Sequence, residues 1–167
     1  MGIGRDVWND LGQGYRSIGI GINSIVNNDN SVVVGIDAEA NDNATAFGIY
    51  SNAQVNSVAI GFNSHTYGEA LSVGYSTEAN YQSVALGPHS MSTAYKSVAI
   101  GYAANVYSEC PDGSSECTNA IAIGFEAYTV GPNSIALGAN SYNEGANSIL
   151  IGYNAITLLP NNIIIGA

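Results

Sequence analysis

The chain has 167 residues, 46% hydrophobic and only 10% charged, with 13 Asp+Glu against 3 Lys+Arg and a formal net charge of -10. That length allows one domain with a sizeable core, whereas three cations (Arg5, Arg16 and Lys96) make no basic patch, which argues against nucleic acid or an anionic membrane surface as partner. No apolar run approaches the roughly 18 residues of a membrane span, so no membrane insertion is expected.

The opening stretch "MGIGRDVWNDLGQGYR" lacks the basic n-region and long apolar h-region of a signal peptide. Residues 1–16 read as an N-terminal cap, with Val7, Trp8 and Leu11 folded over the first coil, or as an incomplete first coil themselves. From residue 17 onward a five-residue segment of the type Ser-Val-Ala-Ile-Gly recurs. Its copies end at Gly21, Gly35, Gly48, Gly61, Gly74, Gly87, Gly101, Gly124, Gly138, Gly152 and Gly166. Successive copies lie 13 or 14 residues apart, except for one gap of 23 between Gly101 and Gly124.

Each position in the segment obeys its own rule. The residue before the glycine is apolar (Ile20, Val34, Phe47, Ile60, Val73, Leu86, Ile100, Ile123, Leu137, Ile151, Ile165). So is the residue two earlier (Ile18, Val32, Val58, Leu71, Val84, Val98, Ile121, Ile135, Ile149, Ile163), with Thr45 the exception. The alternate positions hold Ala or Ser, as in Ala59, Ala85 and Ala99 or Ser57, Ser83 and Ser97. Strand side chains alternate between faces, so one face is branched-aliphatic and the other small. After each glycine a shorter strand carries small or β-branched residues at alternate positions (Ala38/Ala40, Ser64/Thr66, Ala104/Val106), with a variable residue between them. Asn, Gly and Asp fill the joins, as tight turns require. Each unit therefore reads as one coil of an all-β parallel solenoid, its two small faces meeting in a thin interior.

That leaves the aliphatic face pointing outward. Twenty-one of its twenty-two positions are aliphatic or Phe, and monomers rarely expose patches beyond a few hundred Å². A strand apolar or small on both faces is buried on both, so copies of the chain are expected to pack stripe to stripe. The core of that assembly would comprise Ile18, Ile20, Val32, Val34, Val58, Ile60, Val84, Leu86, Val98, Ile100, Ile121, Ile123, Ile135, Leu137, Ile149, Ile151, Ile163 and Ile165.

The long gap holds an inserted loop at about 107–119 containing "CPDGSSEC". A disulfide between Cys110 and Cys117 would close it and imply an oxidising setting; two reduced thiols in a protruding loop are the alternative. Two cysteines without nearby histidines do not complete a zinc shell.

Catalytic, cofactor and metal sites are not expected. His65 and His89 share no motif with a Ser or Asp and read as surface residues. Asp37, Glu39, Glu78 and Glu126 could include a carboxylate pair of the kind glycosidases use, but read better as solvating charges. Asn43-Ala44-Thr45 fits a glycosylation acceptor, though it falls in a repeat turn. No threonine ladder suited to ice binding forms. Directly after the glycines come Phe62, Tyr75, Pro88, Tyr102, Phe125 and Tyr153. They are either corner residues packing between coils or subunits, or (Phe62, Tyr75, Tyr102, Phe125, Tyr153) a strip for contact with a sugar or protein.

The segments "KSVAIGYAANV", "NSIALGANS", "NSVAIGFNS" and "QSVALGPHS" closely resemble the head repeat of trimeric autotransporter adhesins, the YadA-like heads, over residues 17–167. The resemblance implies a left-handed parallel β-roll and a homotrimer with the Ile/Val faces on the threefold axis. It also implies a non-enzymatic, extracellular or cell-surface fibre head that attaches to host cells, matrix or other cells through a surface protein or glycan. No heptad run or neck signature accompanies the repeats, so the alternative is a phage or viral fibre protein on a virion surface, or a subunit of a head-to-tail self-stacking filament.

Overall fold

The structure, a computed structural model, describes residues 2–4, 8–10, 16–107 and 118–166. Every strand is two or three residues long, and the strands alternate between two parallel sheets, one of 12 strands and one of 11. Each Ser-Val-Ala-Ile-Gly segment supplies an inner strand, for example Val58–Ile60, Val84–Leu86 and Val98–Ile100. Each following segment supplies an outer strand such as His65–Thr66, Met91–Ser92 or Asn105–Val106. Every strand pairs in parallel with its equivalent one coil away, so the chain is a parallel β-solenoid with coils of about 14 residues. With coils ~4.8 Å apart the rod is about 50 Å long.

Gly2–Ile3 pairs with Gly19–Ile20 in the inner sheet, and Trp8–Asp10 pairs with Ile25–Asn27 in the outer one. The described part of the N-terminal segment thus continues both sheets by one coil; Val7 and Leu11 lie outside the described residues.

Between the sheets the interior is thin. From the inner sheet it receives Ala46, Ala59, Ala85, Ala99, Ala122 and Ala136, and from the outer sheet Ala40, Ala53, Ala79 and Val106, all fully buried. The largest side chains inside are Leu150, Val26, Val33 and Val106. Such a core contributes little hydrophobic area per coil, so the ladder of backbone hydrogen bonds and its closed turns carry much of the order. Typical links are Val84 N–H to Ser97 O at 2.9 Å and Gly101 N–H to Leu86 O at 2.8 Å.

The repeated serine and glycine have specific jobs at the corners. The hydroxyl of Ser57 donates to Gln54 O and that of Ser83 to Asn80 O, both at 2.6 Å. Ser64 and Ser90 do the same for Gly61 O and Gly87 O in the other turn. Each buried hydroxyl thereby satisfies a turn carbonyl that the ladder leaves over. Gly101 has φ +135°, and a Cβ there would stand 2.3 Å from Gly124 O in the next coil. No other residue fits a corner where backbones meet so closely.

Candidate functional site

The strand register lines the aliphatic residues up in two columns along the outside of the inner sheet. One runs Ile18, Val32, Thr45, Val58, Leu71, Val84, Val98, Ile121, Ile135, Ile149, Ile163. Its neighbour runs Ile3, Ile20, Val34, Phe47, Ile60, Val73, Leu86, Ile100, Ile123, Leu137, Ile151, Ile165. All eighteen residues predicted for an intersubunit core stand in these columns. Within one chain none of them is buried: Val58, Val84, Val98 and Ile100 are among those half-buried, and the exposed ones run from Ile60 at 37% to Ile165 at 75%. Neither column contains a charged residue.

The outer sheet presents a different surface. Its outward column carries Glu39, Asn52, His65, Glu78, Met91, Asn105, Tyr128, Tyr142 and Ile156. Glu39 accepts hydrogen bonds from Asn27 at 2.8 Å and Asn52 at 3.2 Å, and Asp37 accepts one from Asn23 at 3.0 Å. Glu39 and Glu78 lie in outer strands, whereas Asp37 and Glu126 occupy left-handed turn positions. Tyr107, Tyr128 and Tyr142 stack in sequence at 5.3 and 4.8 Å between ring centroids. The Tyr142 hydroxyl donates to Glu144. That bond, with desolvation and the nearby negative charge, pushes the phenol up from 10.0 to about 12.

The turn after each inner strand holds a ring ladder. Tyr50, Phe62, Tyr75, His89, Tyr102 and Phe125 follow one another with centroids 5.1–5.7 Å apart; Phe62–Tyr75 and Tyr102–Phe125 are stacked and the others edge-to-face. Four of the five rings predicted as a contact strip, Phe62, Tyr75, Tyr102 and Phe125, therefore pack coil on coil while remaining 42–50% exposed. Sequence reasoning missed His89: Pro88 cannot stack, and the imidazole at the next, left-handed position (φ 59°) takes its place. His65 lies in an outer strand and His89 in this turn. Tyr153, beyond Ala139, contacts no other ring among the described residues and is 62% exposed.

The opposite turn holds an amide ladder that sequence reasoning also missed. Asn30 donates to Asn43 and Asn43 to Asn56, at 3.0 and 3.2 Å. Further along, Asn119, Asn133, Asn147 and Asn161 repeat the pattern at 3.1, 3.1 and 3.4 Å. All adopt positive φ, which Asn tolerates better than most residues. Between the two runs the same position is Glu69, Gln82 and Lys96. The signal was visible as asparagines recurring at the coil period, with one three-coil interruption.

Cys110 and Cys117 lie outside the described residues. Among the described residues no three His, Cys, Asp or Glu side chains gather as a metal-binding group, and no helix is long and apolar enough to cross a membrane.

A stacked parallel coil with a glycine corner, a serine-closed turn and an aliphatic outer column is a distinctive combination, and known proteins share it. The family model of the YadA head domain repeat matches residues 13–38, 40–64, 54–70, 80–104 and 118–141, more than half of the chain. The chain belongs to this family. No curated protein matches it. Membership in the YadA head family supports an adhesin-like structural role at a surface, and neither the family nor the solenoid is an enzymatic feature.

Proposed function

We propose that the chain is the rigid, non-enzymatic head of an extracellular attachment fibre, assembled as a homotrimer through the two aliphatic columns and presenting its outer sheets and turns to host cells, matrix or other cells. The observation that carries this reading is the uncharged double column of Ile, Val, Leu and Phe running the length of the inner sheet. Burying such side chains is favourable by roughly 1.5–3 kcal/mol each when fully exposed, and a parallel stripe of identical chemistry on every copy suits closed rotational symmetry. Left-handed coils, the threefold count and surface localisation follow from the family resemblance. In this arrangement residues 17–167 form the head, and a Cys110–Cys117 disulfide closes the inserted loop at about 107–119.

The test is attachment of the purified chain, immobilised on beads, to cultured cells and to matrix proteins. Binding by the assembled protein supports the reading, and absence of binding to every surface tried contradicts attachment. A phage or viral fibre, or a head-to-tail filament, would use the same rod; a solution mass that climbs with concentration in steps of three marks the filament.

A further inference from the structure

Most rings on this rod lie in stacks. Tyr67 and Tyr81, like Tyr95 and Tyr153, contact no other ring among the described residues, and Tyr81, at 61%, is more exposed than the stacked Phe62 and Tyr75 at 42% and 50%. Tyr67 and Tyr81 sit on the amide-ladder turn, where successive coils carry Val55, Gly68, Tyr81 and Tyr95 at one position; Gln82 N–H bonds to Gly68 O and Lys96 N–H to Tyr81 O, which fixes that register. Gly68 leaves the space beside Val55 empty. A Cβ there would stand 3.0 Å from Cδ1 and Cε1 of Tyr81, so the ring leans over the gap the glycine provides. The result is an open notch of about 250 Å³ around Gly68, lined by Val55, Asn56, Glu69, Tyr81, Gln82 and Tyr95.

The polar rim of this notch is the place where the amide ladder breaks. Asn56 Oδ1 accepts from Asn43, the next coil carries Glu69 in place of an asparagine, and Asn56 Nδ2 donates to no partner among the described residues. Glu69 Oε2 takes a hydrogen bond from Gln82 Nε2 at 2.6 Å, and Glu69 Oε1 and Gln82 Oε1 have no partner among the described residues. One free donor and two free acceptors thus surround an apolar floor of Val55 and an open tyrosine face.

We propose that this notch is a saccharide subsite that takes one neutral hexopyranose unit of a glycan. A pyranose has an apolar C–H face that packs on an electron-rich ring, and a rim of hydroxyls that each donate and accept. Those hydroxyls match the Asn56 amide, the Glu69 carboxylate and the Gln82 carbonyl. The volume lies just below the ~300 Å³ lower end of small-ligand pockets, which suits a single ring rather than a longer oligosaccharide. Charge disfavours acidic sugars: the Glu69 carboxylate lines the notch and the chain carries -10. This names the ligand class of the attachment surface and so rests on the attachment reading.

The experiment applies the full chain to an array of immobilised neutral oligosaccharides, with sialylated and sulfated ones as comparators. The wild type is expected to bind a subset of the neutral sugars. Tyr81→Ala and Gln82→Ala should weaken that binding at least tenfold, with solution mass and melting unchanged. No binding to any neutral sugar, or undiminished binding by Tyr81→Ala, overturns the subsite. A fall in solution mass on Tyr81→Ala also overturns it, because the ring would then be a subunit contact. Attachment to cells that survives enzymatic removal of their glycans sinks the saccharide subsite but spares the attachment reading. Sugar binding without attachment to any cell or matrix does the reverse.

Discussion

Ile100→Asp places a carboxyl in the middle of the aliphatic stripe, between Leu86 and Ile123 in the register of the inner sheet. In an assembly that buries this stripe the new group has no cationic partner, since neither column holds a charge. It can stay ionised at a cost of several kcal/mol, or take up a proton. The second route sets the ceiling: moving from an ordinary pKa of ~3.9 to neutrality at pH 7 costs about 4 kcal/mol per chain, hence about 12 kcal/mol per trimer. That is about nine orders of magnitude in the trimerisation constant. Because the constant for three chains scales with the square of concentration, the dissociation midpoint should rise about thirty-thousand-fold. Sedimentation equilibrium over a nanomolar-to-millimolar series reads this directly, with Ile100→Val as the control, whose lost methylene (~0.8 kcal/mol per chain) should move the midpoint by less than about tenfold. A midpoint for Ile100→Asp equal to the wild type's would show that the stripe is not an interface.

The interior makes the opposite demand. Ala99 is fully buried between Ala85 and Ala122, so Ala99→Leu should overpack the thin core by ~1–3 kcal/mol and lower the melting temperature; wild-type melting would mean that the small face is not the inside. Gly101→Ala should cost about 1–3 kcal/mol from the forbidden φ alone, with more from the 2.3 Å approach to Gly124 O, and a denaturant midpoint equal to the wild type's would refute the need for glycine at this corner. Tyr142 has its folded pKa raised to about 12, so its bond to Glu144 supports the fold fully below pH 10 and loses that support as pH rises from 10 to 12. Tyr142→Phe should therefore show a shallower loss of stability across that range; identical alkaline limbs would mean that the hydrogen bond contributes nothing there.

The coil itself could be read from the chain because one short motif states its own geometry eleven times. Small residues at Ala59, Ala85 and Ala99 and aliphatic ones at Ile60, Leu86 and Ile100 separate inside from outside by strand alternation alone. Contacts that run from coil to coil at the turns were harder to see. His89 joins the ring ladder only because a left-handed position beside Pro88 turns its imidazole into line, and that depends on backbone geometry no local pattern announces. The open notch at Gly68 was invisible for a related reason. It arises from a missing side chain on one coil and a leaning Tyr81 on the next, thirteen residues apart. In the N-terminal segment Gly2–Ile3 and Trp8–Asp10 join the two sheets in register.

Burial of the aliphatic stripe as the seam of a trimer is tested most directly by the solution mass of the wild-type chain, measured by light scattering across a concentration series. A trimer closed on that seam has a constant mass three times the 17.2 kDa of one chain. A mass of one chain at micromolar concentration, with the protein folded, would contradict it.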